Sequence, residues 1–157
     1  MPRKTKDRIA QMLIPFIPEG KHLAELIHGG GELDLTVLNS QIELIPAHLV
    51  TPGSIIKEAW AIVTEQLGGG TEDQGVVTIY EDAGSPVSLG TIAFADAGGD
   101  VVGDIRNRGA LADGAAANPA AGNKKYYAEV TTACTGTSLA GKVRVYIKWI
   151  RANTTYD

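Results

Sequence analysis

Apolar and polar residues alternate with a period of two over several stretches of the chain, which is the signature of half-buried strands. The clearest stretch is "KVRVYIKWIR", residues 142–151. Val143, Val145, Ile147 and Trp149 fall on one face, with Lys142, Arg144, Tyr146, Lys148 and Ile150 on the other. The first face suits a core and the second suits water or a basic contact. "GVVTIYEDA" and "KKYYAEVTTACT" alternate in the same way, and "VSLGTIAFA" does so with Gly90 as a candidate bulge. "VVGDIRN" reads as a short strand or an irregular edge. Polar turns, "DAGSP", "DAGGD" and "GTSLAG", separate these runs.

"SIIKEAWAIVTEQLGGG", residues 54–70, fits two periods. On helical counting Ile56, Ala59, Trp60, Val63 and Leu67 form a stripe. On strand counting Ile56, Trp60, Ile62 and Thr64 share a face with Glu58, while Ile55, Ala59, Ala61 and Val63 share the other with Lys57 and Glu65. The β-branched residues Ile55, Ile56, Ile62, Val63 and Thr64 favour a strand, and the polar glycine turn into the next strand makes the pair a hairpin. Trp60 and Trp149 are assigned to the core.

Upstream, Leu33, Leu35 and Val37 alternate with Asp34, Thr36 and Leu38 as an edge strand, and Pro46 and Pro52 bracket a crossing segment. Residues 1–31 read differently. Residues 7–14 have a helical pattern ended by Pro15, and "EGKHLAELIHGGG" suits two helical turns with Gly29 as a stop. Residues 106–125 are rich in small residues, lack a strand pattern and exceed the usual length of a connection. The expected architecture is all-β: a β-sandwich over residues 32–157, jelly-roll-like on the resemblance given below, with a long loop at 106–123. An N-terminal arm, residues 1–31, precedes it and carries short helical turns.

Charge is segregated. Residues 1–31 carry net +2, residues 32–122 net −10, and residues 123–157 net +4. The acidic middle argues against nucleic acid as a direct partner. The 157 residues suit one domain, and no apolar run is long enough to span a membrane. A single cysteine, Cys134, excludes an intramolecular disulfide and a cysteine zinc cluster, and its place in an alternating strand suits a buried thiol. His22 and His28 are six apart, off the spacing of a helical metal pair, and neither glycine triplet precedes a phosphate-loop lysine. The acidic turns lack EF-hand spacing. No catalytic constellation, metal site or cofactor site is expected, and the chain is read as a non-enzyme that acts through its surfaces.

The stretches "LIPAHLVTPGSIIKEAWAIVTEQLGGGT", "GVVTIYEDAGSPVSLG" and "AGKVRVYIKWI" resemble the jelly-roll capsid decoration, or cement, proteins of tailed bacteriophages. The resemblance covers roughly residues 42–151 and is a pattern of strands and turns. It implies a virion structural protein on the outer surface of the capsid, clamping neighbouring subunits of the major capsid protein. It also implies homo-oligomeric or lattice contacts with other copies. The alternative is a receptor- or glycan-binding module of a phage fibre or tail, presenting aromatics such as Tyr80, Tyr126 or Tyr146. Contact residues expected on the decoration reading are Met12, Leu13, Ile14, Phe16 and Ile17 in the arm and Arg106 and Arg108 beside the long loop. The basic stripe Lys142, Arg144 and Lys148 on the last strand completes the set.

Overall fold

In a computed structural model of the chain, residues 22–68, 75–94, 100–107, 124–135 and 140–153 are described below. Eight strands account for most of them: β1 (His22–Asp34), β2 (Gln41–Ile45), β3 (Ile55–Gly68), β4 (Val76–Asp82), β5 (Pro86–Ala93), β6 (Ile105–Asn107), β7 (Lys125–Thr132) and β8 (Ala140–Asn153). A 3-10 turn, Ala47–Leu49, lies in the segment bracketed by Pro46 and Pro52. The strands form two four-stranded sheets, one in the order β1-β8-β3-β6 and one in the order β2-β7-β4-β5. Every pairing is antiparallel. β1 pairs with β8, β2 with β7, β3 with β6 and β4 with β5. That is one long hairpin rolled into two layers, the wiring of a jelly roll.

The core lies between the sheets. On β8, Val143, Val145, Ile147 and Trp149 are all fully buried, as the alternation in "KVRVYIKWIR" requires. They meet Leu44 and Ile45 of β2, Val77 and Ile79 of β4, Ile92 of β5, and Tyr126, Ala128 and Val130 of β7 in one cluster. Each such aliphatic side chain contributes roughly 1.5–3 kcal/mol on burial. Two side-chain hydrogen bonds join neighbouring strands, one within each sheet. Trp149 donates its indole N–H to Nδ1 of His28 at 3.0 Å, and Tyr126 donates its hydroxyl to Oε2 of Glu81 at 2.9 Å.

The expected strand and hairpin at residues 54–70 is found as β3 running toward β4, with one change of detail. The register with β8 shifts between Ile56 and Glu58 and again between Val63 and Glu65. At the first bulge Lys57 and Glu58 both turn to solvent, so Ile56, Ala59, Ala61 and Val63 point inward together. Trp60 therefore lies half-buried on the outer face, not in the core. Trp149 occupies the core as expected.

Three other expectations are corrected. The helical turns proposed within residues 19–31 are replaced, over the described part, by β1, which pairs with β8 from His22 to Asp34. Two helical turns would lack a stable nucleus, whereas a strand here gains a full-length partner. Gly29 ends nothing; the register shifts across Gly29–Gly31, and these glycines form a bulge. The strand expected over residues 33–38 stops at Asp34. The Asp34 carboxylate accepts hydrogen bonds from the Thr36 backbone N–H at 2.9 Å and the Thr36 hydroxyl at 2.6 Å, and Asn39 adopts φ 63°, which closes a turn. Leu35 is buried from within that turn, while Val37 and Leu38 are exposed. The strand β2 that follows was not anticipated. Of the loop expected over residues 106–123, Arg106 and Asn107 belong to β6, and residues 108–123, like the helical pattern at residues 7–14, lie outside the described residues.

Gly29 has φ +108°, and a Cβ there would stand 2.3 Å from the Val145 carbonyl oxygen and 3.2 Å from Leu44. Gly29→Val is expected to destabilise the fold by about 2–4 kcal/mol, read as a lower urea midpoint, because strain and backbone overlap add.

Candidate functional site

The outer faces of the two sheets differ in kind. On the β1-β8-β3-β6 sheet, Tyr146 of β8 stands opposite Trp60 of β3, and the rings stack at 5.7 Å with 16° between planes. Ile62 of β3 stands opposite Ile105 of β6, while on β1 Gly29 stands opposite Tyr146 and Ile27 stands opposite Lys148 in the adjacent row. Ile27 and Ile105 are 59% and 62% exposed. The Tyr146 ring lies against Gly30, where a Cβ would come within 3.2 Å of it, so the glycine lets the ring lie down on the sheet. Val101 and Val102, in the turn leading to β6, are also exposed. The result is an apolar and aromatic belt centred on Trp60, Ile62 and Tyr146, flanked by Ile105 and Ile27 and interrupted by Arg144 and Lys148 in the adjoining rows, a composition that marks contact surfaces.

Charged residues border the belt. The stripe Lys142, Arg144 and Lys148 is brought together on the outer face of β8, as the alternation implies, but two of its members have carboxylate partners. Lys142 pairs with Glu65 at 3.1 Å, and that hydrogen bond, with the charge of Glu65, raises its pKa. Lys148 pairs with Glu25 and lies 3.7 Å from Glu58. Among the described residues, Arg144 has no carboxylate within ion-pair distance, and its side chain is exposed beside Glu32 of β1 and Ile62 of β3 in the register. Glu32 accepts a hydrogen bond from the Thr64 hydroxyl at 3.2 Å.

Arg106 is turned toward its own chain. It pairs with the fully buried carboxylate of Asp100 across the turn before β6. Backbone bonds from Gly103 to Val63 and from Val63 to Asp104 hold the same turn against β3, and the Asp104 carboxylate accepts from Val101 N–H at 3.0 Å. Arg108 and the arm residues Met12, Leu13, Ile14, Phe16 and Ile17 lie outside the described residues.

The outer face of the β2-β7-β4-β5 sheet combines a polar network with a stacked tyrosine pair. The hydroxyls of Thr78 and Thr131 are 2.7 Å apart, and Gln41 donates to Glu129. Tyr80 stacks on Tyr127 at 5.2 Å, Lys125 caps that ring at 5.6 Å, and the same lysine pairs with Asp82 at 3.5 Å. Of the tyrosines considered for a glycan platform, Tyr126 is fully buried inside the sandwich. Burial first, and then the bond and charge of Glu81, push its phenol well above the usual range.

Among the described residues no three of His, Cys, Asp and Glu gather where a metal ion would sit. His28 serves the indole of Trp149, His48 is exposed on the 3-10 turn, and Cys134 is buried beside Gly75. Sequence reasoning missed the belt because it placed Trp60 on the core side. The available signal was the adjacent charged pair Lys57–Glu58 inside an otherwise apolar strand, which a bulge accommodates by turning both outward.

No protein-family model matches the sequence, and no curated protein is significantly similar to it. Solved structures do match the fold. A chain of the cyanophage Pam1 capsid asymmetric unit aligns with a TM-score of 0.51 at 16% identity, covering 96% of this chain and 99% of that one. A chain of the capsid of Ralstonia phage GP4 aligns with a TM-score of 0.52 at 12% identity, covering 87% and 90%. At these identities the likeness is one of fold.

Arg106→Ala is expected to leave a buried carboxylate short of its cation and to cost on the order of 2–3 kcal/mol in chemical unfolding. Arg144→Ala, on an exposed side chain, is expected to change stability by less than about 0.5 kcal/mol.

Proposed function

We propose that the protein is a structural component of a phage virion, which binds the outer surface of the capsid and clamps neighbouring major capsid subunits. The observation that carries this reading is the match of fold to a chain of a phage capsid over nearly the whole length of both chains. The asymmetry of the sandwich supports it. One outer face is an apolar and aromatic belt with a charged border, suited to a protein surface, and the other is a polar network suited to water. A clamp needs no pocket and no catalytic group. It needs many modest contacts repeated over a lattice, where avidity multiplies weak individual sites.

In this role the belt and Arg144 face the shell, and the apolar residues Met12, Leu13, Ile14, Phe16 and Ile17 with Arg108 add contacts to the shell or to other copies. Lys142 and Lys148, held by Glu65, Glu25 and Glu58, shape the rim more than they attract a partner. Binding to a capsid therefore depends on apolar burial first and on charge second.

The test is co-sedimentation of the purified protein with shells of its phage from which it has been stripped. Saturable binding is expected, and Ile62→Asp is expected to weaken it about ten-fold or more by placing a charge in the buried belt. Absence of saturable binding by the intact protein would overturn the reading.

A further inference from the structure

The outer face of the β1-β8-β3-β6 sheet divides its charges by strand. On β8 the outward residues Lys142, Arg144 and Lys148 are cationic, and on β3 Glu58 and Glu65 are anionic. Lys142 stands opposite Glu65, Lys148 opposite Glu58, Tyr146 opposite Trp60 and Arg144 opposite Ile62. We infer that, in the free protein, this face packs against the same face of a second copy of the chain, about a twofold axis parallel to β8 and β3 and midway between them.

The division by strand makes the face complementary to itself. Rotation about that axis lays β8 of each copy over β3 of the other, row on row. Lys142 then meets Glu65 of the second copy, and Lys148 meets its Glu58. Within one chain these pairs already stand at 3.1 and 3.7 Å, on side chains that are 31–60% exposed. In the dimer each pair faces its own image reversed, so two lysines and two carboxylates alternate at each end of the contact. Between the ends, the stacked rings of Tyr146 and Trp60 lie over their own image and bury aromatic surface. Arg144 lies over Ile62 of the second copy, one row from that copy's Glu65. In its own chain, Glu32 stands opposite Arg144 on β1 but accepts from the Thr64 hydroxyl. Other twofold axes set like charges together. An axis along β8 places Lys142, Arg144 and Lys148 over their own images, and one across the strands at Tyr146 places Arg144 over Lys148.

Area sets the strength of the contact. At roughly 4.8 Å per strand and 3.4 Å per residue, the face measures about 14–19 Å across the strands and about 27 Å along residues 142–150. Each copy buries about 400–500 Å², at the low end for a specific interface, which implies a transient dimer with Kd on the order of 10–100 µM. The inference does not rest on the capsid reading. Under that reading the second copy and the shell compete for one face, so the dimer dissociates as the protein binds.

The experiment is sedimentation velocity of the purified full chain, without shells, at concentrations spanning that Kd. A reversible monomer–dimer equilibrium is expected. Glu58→Lys and Lys148→Glu are each expected to weaken it about five-fold or more, because each sets like charges face to face in both halves of the contact. Mixing those two variants is expected to restore association to near the native level, since every lysine at these positions in one copy then faces a carboxylate in the other. Mixing Glu58→Lys with Lys142→Glu is expected to leave association weak, because the axis does not bring positions 58 and 142 together. A native chain that stays monomeric throughout would overturn the inference. So would a 58/148 mixture no tighter than its parts, or a 58/142 mixture as tight as the 58/148 one. Because shells are absent, its failure would leave the co-sedimentation result untouched.

Discussion

The pairing of β8 with β1 on one side and β3 on the other is the contact on which the rest of the sandwich depends. β8 is the last strand described, yet it sits inside its sheet between two of the first three. The eight strands pair first with eighth, second with seventh, third with sixth and fourth with fifth, so the sheets close only when the two ends of the rolled hairpin meet. That constraint explains why β8 carries the most regular alternation. Val143, Val145, Ile147 and Trp149 must fill the core while the opposite face stays compatible with two neighbours. A one-residue slip would turn the whole set outward. Closure through contacts so distant in sequence also implies slow folding for a chain of this size.

The same pairing prepares the outer face. Tyr146 can lie against the sheet because Gly30 of β1 leaves room for its ring, and Trp60 stacks beside it because β3 has shifted register at Lys57–Glu58. Two local irregularities, a glycine bulge and a charged bulge, thus build the aromatic centre of the belt. The opposite sheet has a stacked aromatic pair of its own, set in a polar network. Its tyrosines stack under Lys125, and its threonines, Gln41 and Glu129 bind one another. The two sheets share a core but offer the outside different chemistry.

Much of this was legible in the sequence. β4, β5, β7 and β8 follow from period-two alternation between glycine-rich or polar turns, and β3 follows from β-branched content against a competing helical stripe. The sandwich class follows from the spacing of those strands, and its jelly-roll form from the resemblance to phage decoration proteins. What was not legible depends on partners distant in the chain. Residues 22–31 carry too little alternation to read as a strand until β8 supplies a ladder for them. "QIELI" is too short to announce β2 alone. The outward turn of Trp60 depends on register with β8. For the site residues the same division holds. The basic stripe was visible as alternating Lys142, Arg144 and Lys148, but the carboxylates that hold Lys142 and Lys148, and the buried Asp100 that holds Arg106, are brought close only by folding.

If one face is built for contact and the other for water, orientation on a shell is the most direct test of the account. Cryo-electron microscopy of capsids saturated with the protein measures it. The account predicts ordered density in which the β1-β8-β3-β6 sheet faces the shell, with Trp60, Ile62 and Tyr146 at the contact and the β2-β7-β4-β5 sheet outward. Density with the two sheets reversed, or shells that remain bare at saturating protein, would contradict it.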